Sequence, residues 1–312
     1  MAPLQAPLIA IVGPTAAGKS ALALRLARAE GGEIVSCDSL QVYRGLDVGS
    51  AKATPHEREE VPHHLLDVVD PDRDFSAADY ARLARAAVGE IVARGRLPVV
   101  AGGTGLYLRA LVEGLFEGPS RQSALRERLE ALADRHGEAR LHRLLARADP
   151  VAAARVEPND RVRVVRALEV FLATGRPITE HRRGGATPLV GVDVLTLGLS
   201  PDRDTLRRAV ERRTDEMLAG GLVEEVRALM ARGFGPSLRP LRAIGYRQAM
   251  EVASGRMSLA AARAGIVADT MRYAKRQMTW FRHQTRAQWC ESAESALTVG
   301  RAWLQERRRV SP

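Results

Sequence analysis

The segment Gly13–Ser20, GPTAAGKS, constrains this chain more than any other: it fits G-x-x-x-x-G-K-[ST] and follows the apolar, β-prone run 7–12. An Ala/Leu-rich stretch with helical spacing continues to Glu30. Strand, glycine loop and helix in that order form the context in which loop N–H groups, a helix N-terminus and a lysine all point positive ends at a phosphate chain. Gly13, Pro14, Thr15, Ala16, Ala17, Gly18, Lys19 and Ser20 are therefore the phosphate-binding candidates, with the Ser20 hydroxyl placed for Mg²⁺. By motif alone this is a nucleotide-binding or ATP-binding loop.

The alternation continues with a short strand at 33–37 (EIVSC) and a capped amphipathic helix at 76–94, which feeds the strand LPVVAGG. Such alternation predicts an α/β fold, a P-loop NTPase-like parallel sheet flanked by helices, with ligands beyond the carboxyl ends of the strands. From about Pro119 to Arg183 the pattern changes to charged helices without a convincing strand. The expected organisation is a catalytic core of 1–118 and 190–312 with a helical insertion domain at 119–189. A β-prone run at 192–200 returns to the core, and the remainder reads as helical through Arg308.

Composition narrows the classes. The chain is 46% hydrophobic, yet no apolar run approaches the roughly 20 residues needed to cross a bilayer. The opening MAPLQAPLIAIVGP lacks a basic lead-in and runs straight into the motif, so the expectation is a cytoplasmic protein without a cleaved signal or membrane partner. Cys37 and Cys290 form no CxxC pair, which argues against a disulfide framework or a cysteine zinc site. A formal charge of +10 suits a polyanionic partner. Of the 47 basic residues 44 are arginine, so the three lysines, Lys19, Lys52 and Lys275, stand out against the background.

A phosphate loop does not specify its chemistry. A hydrolase should place a metal-binding Asp after a buried strand, but LPVVAGGTG ends in glycine, and no NKxD-type base-reading motif occurs. The carboxylate just beyond a strand end is Asp38, in SCDSLQVYRGLDVGSAK. Bound diphosphate as leaving group, Lys19 and Mg²⁺ to neutralise it, and Asp38 to accept a proton suit alkyl or phosphoryl transfer.

These residues resemble a known family. GPTAAGKS, SCDSLQVYRGLDVGSAK, VPHHLLD, AGGTGLYLRALVEGL, PNDRVRVVRALEV, LRAIGYRQ and KRQMTWFRHQ occur in the order found in the bacterial tRNA dimethylallyltransferases, from about Leu8 to Gln284. The resemblance implies a prenyl transferase that moves a dimethylallyl group from dimethylallyl diphosphate to N6 of adenine 37, in the anticodon loop of tRNA, releasing diphosphate. It implies that Thr15 and Gly18–Ser20 hold the donor and Mg²⁺, that Lys19 and Arg213 contact the diphosphate, and that Asp38 is the catalytic base. For tRNA it points to Asp38, Ser39, Leu40, Gln41 and Thr104, to Val162, Arg163, Val164, Val165 and Arg166, and to Arg242, Ala243, Ile244, Gly245, Tyr246 and Arg247. His63 is implied to help shape the site.

The residues themselves support parts of this. Arg163 and Arg166 share a helix face, Arg242 and Arg247 flank a Gly-Tyr turn, and Tyr246 suits stacking on an unpaired base. Arg126 is a further tRNA candidate, with a solvated charge as its plainer reading. An adenine stacked in a loop must be extruded to reach a deep phosphate cleft. A chain of this size is expected to work as a monomer. The competing readings are an isopentenyltransferase on free adenine nucleotides, a P-loop nucleotide kinase, and an RNA-binding protein without catalysis.

Overall fold

The computed structural model describes residues 5–116 and 118–310. Its contacts divide the chain into two compact units, one formed by 1–112 with 189–312 and one by 113–188. The smaller unit starts at Glu113, ahead of the Pro119 read from the sequence, because the chain entering and leaving it pairs as an antiparallel bridge between Phe116 and Ala186.

The larger unit begins with β1 (Ala6–Val12), α1 (Lys19–Glu30), β2 (Gly32–Ser36), α2 (Pro55–Glu60), β3 (His63–His64), α3 (Ala77–Ala93), β4 (Leu97–Ala101) and α4 (Gly105–Val112). The smaller unit contributes α5 (Ser123–His136), α6 (Glu138–Ala148), α7 (Pro150–Ala153), α8 (Arg161–Thr174) and α9 (Ile178–Arg183). The larger unit resumes with β5 (Val192–Leu199), α10 (Arg203–Ala219), α11 (Leu222–Ala231), α12 (Tyr246–Ala253), α13 (Leu259–Gln284), β6 (Gln288–Cys290) and α14 (Ala293–Val310).

Among the described residues the sheet runs β3-β2-β4-β1-β5-β6, with every pairing parallel. β1 is central, and its side chains alternate between two cores. Leu8, Ala10 and Val12 pack with Val35, Val100 and α3, whereas Ile9 and Ile11 pack with Val99, with Leu22 and Leu26 of α1, and with Ala296 and Leu304 of α14. A strand buried on both faces needs such an unbroken apolar run. α3 starts where the Ser76 side chain accepts from the Asp79 N–H and the Asp79 carboxylate accepts from the Ser76 N–H, a reciprocal cap that the sequence spelled as S-x-x-D. The stretch read as helical to Arg308 is broken by β6, whose three residues are too short to show a period of two. No helix among the described residues is long and apolar enough to cross a membrane.

The smaller unit has its own core, with Leu129 of α5, Leu141 and Leu145 of α6, and Val164, Val165 and Leu168 of α8. Two buried carboxylates tie it together. Asp149 accepts from the Ala152 and Thr179 N–H groups and from the Thr179 hydroxyl. Glu169, fully buried on α8, accepts from the Arg126 guanidinium at 2.9 and 3.0 Å, from Arg166 at 2.6 Å and from the Gln122 N–H at 2.8 Å.

Candidate active site

The parallel sheet brings the carboxyl ends of β1, β2 and β4 to one edge, so the segments that follow them gather there. After β1 the phosphate loop turns through Ala16 (φ 62) and Gly18 (φ 85) into α1. After β2 comes Cys37, whose carbonyl accepts from the Thr104 N–H at 3.2 Å, and then half-buried Asp38. After β4 comes Gly102, where a Cβ would lie 2.0 Å from the Cys37 carbonyl oxygen, so only glycine lets the two strand ends close. The Ser39 N–H donates to the Thr104 hydroxyl at 3.0 Å, and the Leu40 N–H to Asp38 Oδ1 at 2.8 Å, which fixes the Asp38 carboxylate beside the loop.

Lys19 Nζ donates to the Pro14 carbonyl at 2.6 Å, folding the side chain back over the loop. Burial first and the nearby Arg213 guanidinium second bring its pKa down to about 7, with the Asp38 carboxylate acting in the opposite sense. Arg213, on α10, is likewise pushed down by burial and partly restored by Asp38 and Glu216. Lys19, Asp38 and Arg213, separated widely in sequence, thus lie within one another's fields. Burial disfavours the charged forms of both Lys19 and Arg213, and a bound diphosphate would favour them. Burial pushes the Cys37 thiol up to about 12, so it is no thiolate nucleophile.

One residue that sequence reasoning missed completes the loop. Gln277, buried on α13, accepts from the Thr15 N–H at 2.9 Å through Oε1 and donates to the Gly103 carbonyl at 2.9 Å through Nε2. A single amide thereby locks the phosphate loop to the glycine turn after β4. One turn earlier on α13, Tyr273 is pushed up to about 12 by burial and by Asp38. The only signal in the sequence was the KRQMTWFRHQ segment itself, which has no spacing that places it beside a loop 262 residues away.

The expected RNA-contacting residues separate by position. Asp38, Ser39, Leu40, Gln41 and Thr104 are half-buried around the strand ends. Gln41 Oε1 accepts from the Ser36 hydroxyl at 2.7 Å while its Nε2 donates to the Ser50 and Ala51 carbonyls. In the smaller unit Val162 and Arg163 are exposed, but Val164 and Val165 lie inside its core, so their side chains reach no RNA. Arg126 is not the solvated charge of its plainer reading. With Arg166 it is held on buried Glu169, and Arg166 also donates to the Pro119 carbonyl.

The Tyr246 stacking expectation is overturned. The ring is fully buried and its hydroxyl donates to Glu225 at 2.8 Å, so no face is open to a base. Gly245, also buried, turns the chain at φ 92 into α12, and Ala243 and Ile244 are half-buried against the core. Arg242 and Arg247 are exposed, the first donating to the Pro236 and Ser237 carbonyls and the second paired with Asp269 at 2.8 Å. His63 and His64 are hydrogen-bonded apart, to the Val61 carbonyl and to Glu33, as neighbours on a strand must be.

Comparison with known proteins gives this geometry its relatives. The chain is 48% identical over 296 residues to a tRNA dimethylallyltransferase of Koribacter versatilis, covering 95% of this chain and 96% of that one. It is 49% identical over 284 residues to the tRNA dimethylallyltransferase of Geobacter sulfurreducens, covering 91% of each. Among solved structures, the full-length tRNA isopentenylpyrophosphate transferase of Bacillus halodurans matches with a TM-score of 0.69 and 37% identity, over 97% of this chain and 98% of that one. A eukaryotic dimethylallyltransferase acting on tRNA matches with a TM-score of 0.75 and 28% identity, over 88% of this chain and 70% of that one. A family model described as IPP transferase matches residues 41–284, and with these similarities along nearly the whole length the chain belongs to the IPP transferase family.

Proposed function

We propose that the chain is a tRNA dimethylallyltransferase that takes dimethylallyl diphosphate as donor and N6 of adenine 37 in the anticodon loop as acceptor. The observation that carries the chemistry is the convergence of the phosphate loop, Lys19, Arg213 and Asp38 at one edge of the sheet. The family's tRNA-acting relatives supply the acceptor.

In the reaction the bond between the allylic carbon and the diphosphate oxygen breaks, and the electron pair leaves with diphosphate. The same carbon forms a bond to N6, and the N6 proton passes to the Asp38 carboxylate. An exocyclic adenine amine has its lone pair delocalised into the ring, so removing that proton during attack lowers the barrier. Loop N–H groups, Lys19 and Arg213 neutralise the charge that grows on the leaving group, in a site partly closed to water. The exposed Ser20 hydroxyl at the first turn of α1 fits Mg²⁺, which favours few protein ligands with phosphate oxygens and water as the rest. When bound, the ion would add positive charge at the diphosphate.

The test is transfer of label from dimethylallyl diphosphate to unmodified tRNA, beside parallel reactions with AMP, ADP and ATP. Label at adenine 37 alone is the expected result. Label on free nucleotides, or phosphate moved from ATP, would overturn the assignment.

A further inference from the structure

Arg213 does not stand by itself. Its Nη2 donates to the Ser50 carbonyl at 3.3 Å, and the same carbonyl accepts from Gln41 Nε2 at 3.3 Å. Ser50 thus joins a residue expected at the diphosphate to one expected at the RNA. Ser50 is held by its own hydroxyl, which donates to the Leu46 carbonyl at 2.6 Å, and by the three residues before it. The Glu225 carboxylate, on the first turn of α11, accepts from three consecutive N–H groups, those of Asp47 (2.9 Å), Val48 (2.7 Å) and Gly49 (3.2 Å). Its fourth donor is the Tyr246 hydroxyl. The hydroxyl end of the Tyr246 ring lies against the turn: a Cβ on Gly49 would come 2.4 Å from its Cζ.

The other end of the turn is held by Lys52, one of the three lysines that stand out in this arginine-rich sequence. Its ammonium donates to the Tyr43 carbonyl (2.8 Å), to Asp47 Oδ1 (2.5 Å) and to Asp67 Oδ1 (2.7 Å). Three converging acceptors suit a compact ammonium and not a planar guanidinium, which explains why lysine persists here.

We propose that Glu225, with Tyr246, is a positioning residue for the transfer reaction: by gathering the 47–49 N–H groups it fixes the Ser50 carbonyl, and through it the Arg213 guanidinium. The inference rests on the proposed role of Arg213 at a diphosphate. Glu225 touches no substrate in it; its effect reaches the site through one carbonyl. A side chain that orients a charged group matters because a small displacement of that group costs rate without costing the fold.

The test uses Glu225→Gln, in which one carboxylate oxygen becomes an NH₂ facing N–H donors, and Tyr246→Phe, which keeps the ring and removes only the hydroxyl. Binding of inorganic diphosphate with Mg²⁺ is measured in the native chain and in an Arg213→Ala background, with label transfer alongside. Coupling between linked residues predicts that Glu225→Gln weakens diphosphate about tenfold in the native background and leaves it unchanged in the Arg213→Ala background. Tyr246→Phe follows the same pattern at about threefold. The label transfer is expected to lose kcat more than tRNA KM.

Equal losses in both backgrounds, or native affinity in Glu225→Gln, would overturn the proposal and reduce the clamp to a fold-holding role. If Glu225→Gln fails to fold, Tyr246→Phe decides alone by the same comparison. Absence of label transfer by the native chain would count against the transferase reading, whereas the diphosphate comparison judges the clamp without it.

Discussion

Replacing Glu169 by Gln should destabilise the smaller unit, and the structure sets the size of the effect. Glu169 is fully buried, and its two guanidinium partners, Arg126 and Arg166, are 18% and 28% exposed at the side chain. Burial by itself would raise the carboxyl, but hydrogen bonds from Arg126, the Gln122 N–H and Arg166 outweigh it and hold the pKa at about 2 instead of 4.5. That displacement, at about 1.4 kcal/mol per pH unit, gives roughly 3 kcal/mol, or about 2 kcal/mol once screening at the partly exposed arginines is allowed for. Breaking a buried pair by removing one partner gives a similar figure, about 3–5 kcal/mol, because the arginines are left unpaired.

The sign follows from the direction of the shift. A carboxyl whose folded pKa is depressed contributes its stability above 4.5 and loses it as the pH falls towards about 2. Amide exchange in α8 at pH 7 should therefore be faster in Glu169→Gln by a factor corresponding to about 2 kcal/mol, and the variant's exchange-derived stability should change less than the native chain's between pH 4.5 and 2. Native protection at pH 7 together with an unchanged acid profile would refute the reasoning.

Three further outcomes are expected. Asp38→Ala should reduce kcat by about a hundredfold or more while tRNA and donor still bind, measured by single-turnover transfer, and an unchanged rate constant would remove Asp38 from the chemistry. Arg163→Ala, at the exposed start of α8, should weaken tRNA uniformly and reduce the salt slope by about one, with unaltered affinity at low salt as the contrary result. Gly102→Ala should lower stability in urea denaturation by about 3 kcal/mol because its Cβ meets the Cys37 carbonyl, and a native transition would mean that β2 and β4 separate freely.

The sheet order aside, the placement of the candidate residues at the strand ends was readable because it is local: eight consecutive residues make the glycine-rich loop, and Asp38 follows a strand too short to misplace it. The supports of those residues were not. Gln277 reaches Thr15 across 262 positions and Glu225 reaches Val48 across 177, and no periodicity encodes such meetings. Contiguous stretches such as 162–166 misled for a different reason. A helix turns its neighbours to opposite sides, so Val162 and Arg163 face water while Val164 and Val165 face the core. Tyr246 followed a similar course. A tyrosine beside glycine and arginine looks available for stacking, but its hydroxyl had a carboxylate waiting inside the fold.

The central pairing of the sheet also bears on how the chain acquires its shape. Ala6 stands beside Val192, so joining β1 to β5 closes a loop of roughly 190 residues, the longest excursion between neighbouring strands of the sheet among the described residues. The helical unit between them has mostly local contacts and can condense early. The Leu189 N–H donating to the Val112 carbonyl shows that its two ends return to the same place, which shortens the effective excursion. During synthesis β1 emerges first, yet its apolar side chains wait for a neighbour made much later. The strand that delivers the phosphate loop is thus made well before the neighbour that completes its pairing.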